Sequence, residues 1–220
     1  MNCPVHLGAA ASRTFPLAEA EAVARGILEA LRPHAERIEI AGSIRRRRPQ
    51  VHDIDIVAIA RRVSGRLLFG DSTLEESAFC EAALDLSDAG DGDQKLECVG
   101  DKIIRCIHGD SRISVDIYLA MPESWATLLL IRTGSAEHNI RLCTRARELG
   151  GKLHADGSGL ELPGEYNAVL QRQETNVFYP QSEEEIFARG GIAYLPPSLR
   201  EQGVTWQLTK SATEPQGRSA

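Results

Sequence analysis

A chain of 220 residues with 42% apolar side chains can bury one generous core or two small ones, and no run of about eighteen apolar residues is present to form a membrane span. A net charge of −6 provides no general attraction for nucleic acid, so any grip on a phosphate backbone must be local. Five cysteines, odd in number and without a C-x-x-C pair, argue against a disulfide framework or zinc site. The start lacks a basic region followed by an apolar one, so a cytoplasmic protein without a signal peptide is expected.

Residues 1–15 show no periodicity and read as a tail. From Pro16, the residues Leu17, Ala20, Val23, Ala24, Ile27, Leu28 and Leu31 recur at helical spacing, and Pro33 lies beyond the end. Glu36 to Ala41 reads as a short strand that delivers the chain into a Gly42-Ser43 turn, followed by four arginines, Arg45 to Arg48.

Asp53-Ile54-Asp55-Ile56-Val57 then reads as a strand. Residues two apart face the same way, so the carboxylates of Asp53 and Asp55 project together. Like charges held side by side resist ionisation unless a cation sits between them, and all-oxygen ligation suits Mg²⁺ or Mn²⁺. Gly42 permits a tight turn and close approach to a ligand, Ser43 offers a hydroxyl and a backbone N–H, and Arg45 or Arg46 can fork onto phosphate oxygens. The combination points to a nucleoside triphosphate held against metal.

Arg61 to Ser72 is a polar connection, and Leu74 to Leu86 a helix. Ser87 to Asp93 has the look of a calcium loop but lacks the glutamate that motif needs, so a solvated turn is expected. Lys95 to His108 and Arg112 to Ala120 read as a hairpin. Within it Asp116 interrupts the apolar run Val115, Ile117, Leu119, either as a surface position or as a third carboxylate beside Asp53 and Asp55.

After Met121-Pro122, a plausible domain boundary, Trp125 to Ile131 is a short apolar helix. Ser135 caps a second helix to Leu149, with Ile140, Leu142, Cys143 and Ala146 on its buried side and Arg141, Arg145 and Arg147 exposed. The interval Arg132 to Lys152 is net positive, which suits either a surface tracking a nucleic-acid backbone or a plain solvated face. Lys152 to Val177 is polar and loop-rich, with at most a small hairpin near Leu153 and Leu160. Ser182 and Glu185 form a capping box for a helix Glu183 to Arg189, and an extended segment runs from Ile192 to Glu201.

The run Gly42-Ser43 followed by Asp53-x-Asp55 resembles the signature of the polymerase beta-like nucleotidyltransferase superfamily. With Arg46 kept after Gly-Ser, and with Thr133-Gly134-Ser135-Ala136-Glu137-His138-Asn139 and Glu183 to Glu201 downstream, the chain is similar to DNA polymerase family X over roughly residues 16–202. That resemblance implies an α+β fold. A palm (16–121) of mixed or antiparallel sheet with helices packed on it would be followed by a small α/β thumb (122–207) and a tail (208–220).

It further implies two Mg²⁺ or Mn²⁺ ions on Asp53, Asp55 and Asp116, with Asp116 accepting the primer hydroxyl proton. Ser43 and Arg46, helped by Arg45, would hold the triphosphate. Gly134, Ser135 and Asn139 would lie at the nucleotide, and Arg132, Arg141 and Arg145 at DNA. The implied activity is addition of nucleotides to a primer 3′-hydroxyl, in gap filling or repair, by a monomer. The alternative is a same-fold enzyme acting on tRNA, a protein or a small molecule. Ile131-Arg132 stand where many relatives have an aromatic pair lining the sugar pocket, which leaves the choice of sugar open.

Overall fold

The computed structural model describes residues 13–61, 74–86, 98–100, 102–167, 171–201 and 206. The calcium-like stretch, most of the connection after Arg61 and the carboxy-terminal tail lie outside the described residues.

Strand β1 (Phe15–Pro16) pairs antiparallel with a later short strand, and Phe15 is buried, so the expected tail gives way to core one residue earlier than periodicity suggests. Helix α1 (Leu17–Leu31) buries Ala20, Ala24, Ile27 and Leu31, a stripe at the spacing that one helix face presents to a core. Strand β2 (Ala35–Ile40) leads into the single-turn helix α2 (Gly42–Arg45). Arg47, at φ +63°, then turns the chain into β3 (Gln50–Val51), the partner of β1. The arginine run is therefore a bent turn, not one solvated face.

Strand β4 (Asp53–Ala60) is central. It pairs antiparallel with β2 and parallel with β7 (Ser114–Leu119), while β6 (Ile103–Ile107) and β5 (Cys98–Gly100) extend the sheet in the order β2-β4-β7-β6-β5. The arm expected to be one strand from Lys95 to His108 is thus broken near Gly100 into β5 and β6, themselves antiparallel. Helix α3 (Leu74–Asp85) covers the α1 face, where Phe79 and Ala83 join Ile54, Ile56, Val115 and Ile117. On the opposite face Val57, Ile59 and Tyr118 meet Trp125, Ala126, Leu128 and Leu129 of α4 (Trp125–Thr133). A strand buried on both faces reads as a continuous apolar run, and Ile56 to Ile59 is one.

Helix α4 is buried all round. Its Leu130 and Ile131 belong to a third cluster with Leu142 and Ala146 of α5 (Ala136–Glu148), Leu153 of β8 (Lys152–Leu153), Leu160 of β9 (Leu160–Asn167) and Ile186 and Phe187 of α6 (Glu183–Arg189). Two expectations fail here. Ile140 is 66% exposed, since the buried side of α5 is formed by His138, Leu142 and Ala146. The polar region after Lys152 is a three-stranded antiparallel sheet, in which β9 pairs with β10 (Arg172–Phe178) over its length. Its alternation was hidden by Pro163 and Gly164, which break the apolar period within β9.

Candidate active site

The site begins at the parallel pairing of β4 with β7, whose register sets Asp55 opposite Asp116 and Asp53 opposite Ser114. Side chains directly opposite on neighbouring strands share a face, so the third carboxylate comes to the other two. The register sets Asp116 alongside Asp55, on the strand face that also carries Asp53. Burial, then the charges of Asp53 and Asp116, push the Asp55 carboxyl up to about 7, and burial followed by Asp116 raises that of Asp53.

Gly42 packs against this cluster. Its φ is +54°, and a Cβ there would lie 1.9 Å from Asp55 Oδ2. The glycine anticipated for approach to a ligand thus leaves room for a carboxylate of the chain itself. Ser43 Oγ is buried without a hydrogen-bond partner among the described residues.

The arginines turn toward carboxylates far along the chain. Arg45 forks onto Glu183, Nη1 to Oε1 at 2.8 Å and Nη2 to Oε2 at 2.9 Å, and donates to Thr133 Oγ1 at 2.7 Å. The expected phosphate helper therefore ties α2 to α4 and α6. Glu183 also accepts from Arg200 at 2.8 and 3.3 Å, and Arg200 is fully buried. Burial alone would raise the Glu183 carboxyl, but these hydrogen bonds outweigh it and hold it below its usual range. Arg46 donates from Nε to Glu201 at 2.7 Å and from Nη1 to the Thr133 carbonyl, and Arg48 donates to the other Glu201 oxygen at 2.8 Å.

Gly134 ends α4 at φ +72°, where a Cβ would stand 3.0 Å from Arg46 Nη1. The Gly134–Ser135 peptide is cis. Ser135 caps α5 by accepting from His138 N. Asn139 donates to the Ile131 carbonyl at 2.7 Å, and its own side-chain oxygen is buried without a partner among the described residues. Ser43 and Asn139 are thus unsatisfied groups lying in the two motifs expected to hold the nucleotide.

The three arginines expected at DNA differ. Arg132 lies 4.0 Å above the Tyr118 ring, Arg141 pairs with Glu137 at 2.6 Å, and Arg145 bonds the Gly190 carbonyl at 2.8 Å and Glu148 at 3.1 Å. The last two are engaged by neighbours on α5 and at the end of α6.

Among the described residues, no three His, Cys, Asp or Glu side chains are gathered closely enough to hold a metal ion as they stand. The Asp116 carboxylate is engaged by Tyr118 Oη at 3.0 Å and Arg105 Nε at 3.3 Å. The donor chemistry nonetheless fits a divalent cation, since oxygen ligands that raise one another's proton affinity are neutralised by a hard dication.

Sequence reasoning missed Glu183, Arg200, Glu201 and Tyr118. Position 118 was legible, being two residues after Asp116 on the same strand face. Nothing in the local pattern distinguished Glu183 from its neighbours Glu184 and Glu185.

A five-stranded mixed sheet carries acidic residues on adjacent parallel strands, and the part of the chain after it bonds the arginines of the Gly-Ser turn, an α+β arrangement similar to that of polymerase beta structures. Residues 128–201 match the family model described as DNA polymerase beta thumb. Crystal structures of Leishmania infantum polymerase beta, as ternary P/T and ternary gap complexes, superpose with TM-scores of 0.65 and 0.64 at 20% identity. They cover 86% of this chain and 77% and 71% of theirs. The DNA polymerase/3′-5′ exonuclease PolX of Bacillus subtilis (strain 168) is 29% identical over 195 residues, 86% of this chain. The chain is similar to these polymerases, and it spans only 29% of the length of the Bacillus protein.

Proposed function

We propose that this chain is a DNA-directed nucleotidyltransferase that adds nucleotides to a primer 3′-hydroxyl with release of pyrophosphate, in gap filling or repair. The observation that carries the reading is the register of Asp55 with Asp116 across parallel strands, beside Asp53 and the Ser43 turn. The 3′-oxygen bonds to the α-phosphorus, the bond from that phosphorus to the β-phosphate bridging oxygen breaks, and Asp116 accepts the hydroxyl proton. Ser43 and Arg46 hold the triphosphate, Gly134 and Ser135 shape the nucleotide pocket, and Asn139 offers its free oxygen to the nucleotide. Arg132, whose guanidinium lies over the Tyr118 ring, is offered to a DNA phosphate.

Two Mg²⁺ or Mn²⁺ ions would be held by Asp53, Asp55 and Asp116, and when bound supply the positive charge that favours a developing oxyanion and departing pyrophosphate. The chain acts as a monomer in the cytoplasm, with a palm over 16–121 and a thumb over 122–207. No described helix is long and apolar enough to cross a membrane.

One observation favours testing a second acceptor class: Arg141 and Arg145 are paired by acids in a chain of net charge −6, which weakens a grip on duplex phosphates. The test is incubation with labelled primers on gapped and single-stranded templates, using each dNTP and NTP with Mg²⁺ or Mn²⁺. Extension of the primer is expected, and Asp116→Ala is expected to abolish it while leaving thermal melting unchanged. Turnover retained in that variant removes Asp116 from the mechanism. Labelling of RNA or protein instead of primer moves the assignment to the alternative acceptor.

A further inference from the structure

We propose that Tyr118 is a positioning residue that orients the Asp116 carboxylate, and that Arg132 acts on Asp116 through it. This rests on the transferase reading above. Tyr118 is only 9% exposed, and a buried phenol needs a hydrogen-bond partner. It finds one two residues back on its own strand, where its hydroxyl donates to Asp116 Oδ2 at 3.0 Å.

Arg105, directly opposite Asp116 on β6, reaches the same oxygen from Nε at 3.3 Å and the other oxygen at the same distance. A carboxylate has about four acceptor positions, so two donors define its plane and leave capacity for a cation or a proton. Neutral and cationic donors of this kind, standing behind a ligating carboxylate, set its direction.

Arg132 completes the chain of contacts. Its guanidinium sits 4.0 Å over the Tyr118 ring, and its Nε is buried with no hydrogen-bond partner among the described residues, so the ring is what it is placed to meet. A cation on an aromatic face is attracted by the ring quadrupole, which ties the position of the Tyr118 ring to that of Arg132. Arg132 belongs to the last turn of α4, next to Thr133 and Gly134, which touch Arg45 and Arg46. Arg132 thus links the end of α4, where Arg45 and Arg46 are bonded, to the direction of the candidate base.

The experiment compares wild type, Tyr118→Phe, Arg132→Ala and the double variant, measuring single-nucleotide incorporation, Mn²⁺ binding by electron paramagnetic resonance, and thermal melting. Tyr118→Phe is expected to lower kcat about tenfold and weaken Mn²⁺ binding about tenfold, with KM for the nucleotide within twofold and melting unchanged. Arg132→Ala is expected to act in the same direction, and to add nothing in the Tyr118→Phe background. Unchanged kcat and Mn²⁺ affinity in Tyr118→Phe overturn the proposal, and additive effects of the two substitutions overturn the part given to Arg132. Should Tyr118→Phe fail to fold, Arg132→Ala alone reports by the same split of kcat from KM. A wild-type protein that neither binds Mn²⁺ nor incorporates nucleotide sinks the transferase reading itself, a result distinct from a silent Tyr118→Phe.

Discussion

Gly42 shows how little space separates turn from carboxylate. Its positive φ already disfavours a side chain, and a methyl group would meet Asp55 at 1.9 Å. Gly42→Ala is therefore expected to displace Asp55, reducing incorporation at least tenfold and lowering stability by about 1 kcal/mol or more, read by primer extension and denaturant unfolding. His138 illustrates a different residue-scale effect. It is 3% exposed, packed against Phe187 and Trp206, and burial followed by Arg200 lowers its pKa to about 4. Folded protein thus resists protonation that the unfolded chain accepts below about 6.5. The neutral histidine contributes fully to stability above that pH, and the contribution fades as pH falls toward 4. Melting temperature should drop over this window, and His138→Leu should flatten the drop.

At the scale of elements, α2 is a single turn whose arginines are directed by what surrounds it. Glu201 takes both Arg46 and Arg48, and these hydrogen bonds, prevailing over burial, hold its carboxyl below the usual range. Arg46 is also the cation proposed for phosphate, so carboxylate and triphosphate compete for it. Glu201→Gln is expected to lower the Kd for a non-hydrolysable triphosphate about threefold to tenfold, by calorimetry; weaker binding would show that Glu201 helps to form the site. The four-arginine run was visible as charge. Its division into Arg45 toward Glu183, Arg46 and Arg48 toward Glu201, and Arg47 toward Glu21 depends on a bend that no periodicity records.

Across the whole molecule, α4 joins two apolar clusters, and the Arg45, Glu183, Arg200 triad fastens α2 to α6 and the segment at Arg200 beside it. A carboxylate between two guanidiniums in a buried place matters most when it is removed, because Arg200 is then left charged and unpaired. Glu183→Gln is expected to destabilise by about 3 kcal/mol in denaturant titration, with the carboxy-terminal part of the chain losing protection from hydrogen exchange first. A loss below about 1 kcal/mol would mean that water reaches Arg200 and the triad is not a fastening.

The sequence by itself determined helix α1, the strand bearing Asp53 and Asp55, the cap at Ser135 and the helix after Ser182, because each rests on contacts within a few residues: an apolar period, a turn residue, a side chain bonding a nearby N–H. It also carried the family likeness, through short motifs. Tertiary structure alone decided that Asp116 faces Asp55, that Tyr118 and Arg105 hold it, that Glu183 and Glu201 claim the arginines, and that the region after Lys152 forms a sheet. Those outcomes depend on strand register and on pairs separated by as many as 155 residues, such as Arg46 with Glu201, where local propensity has no means of selecting one partner over another.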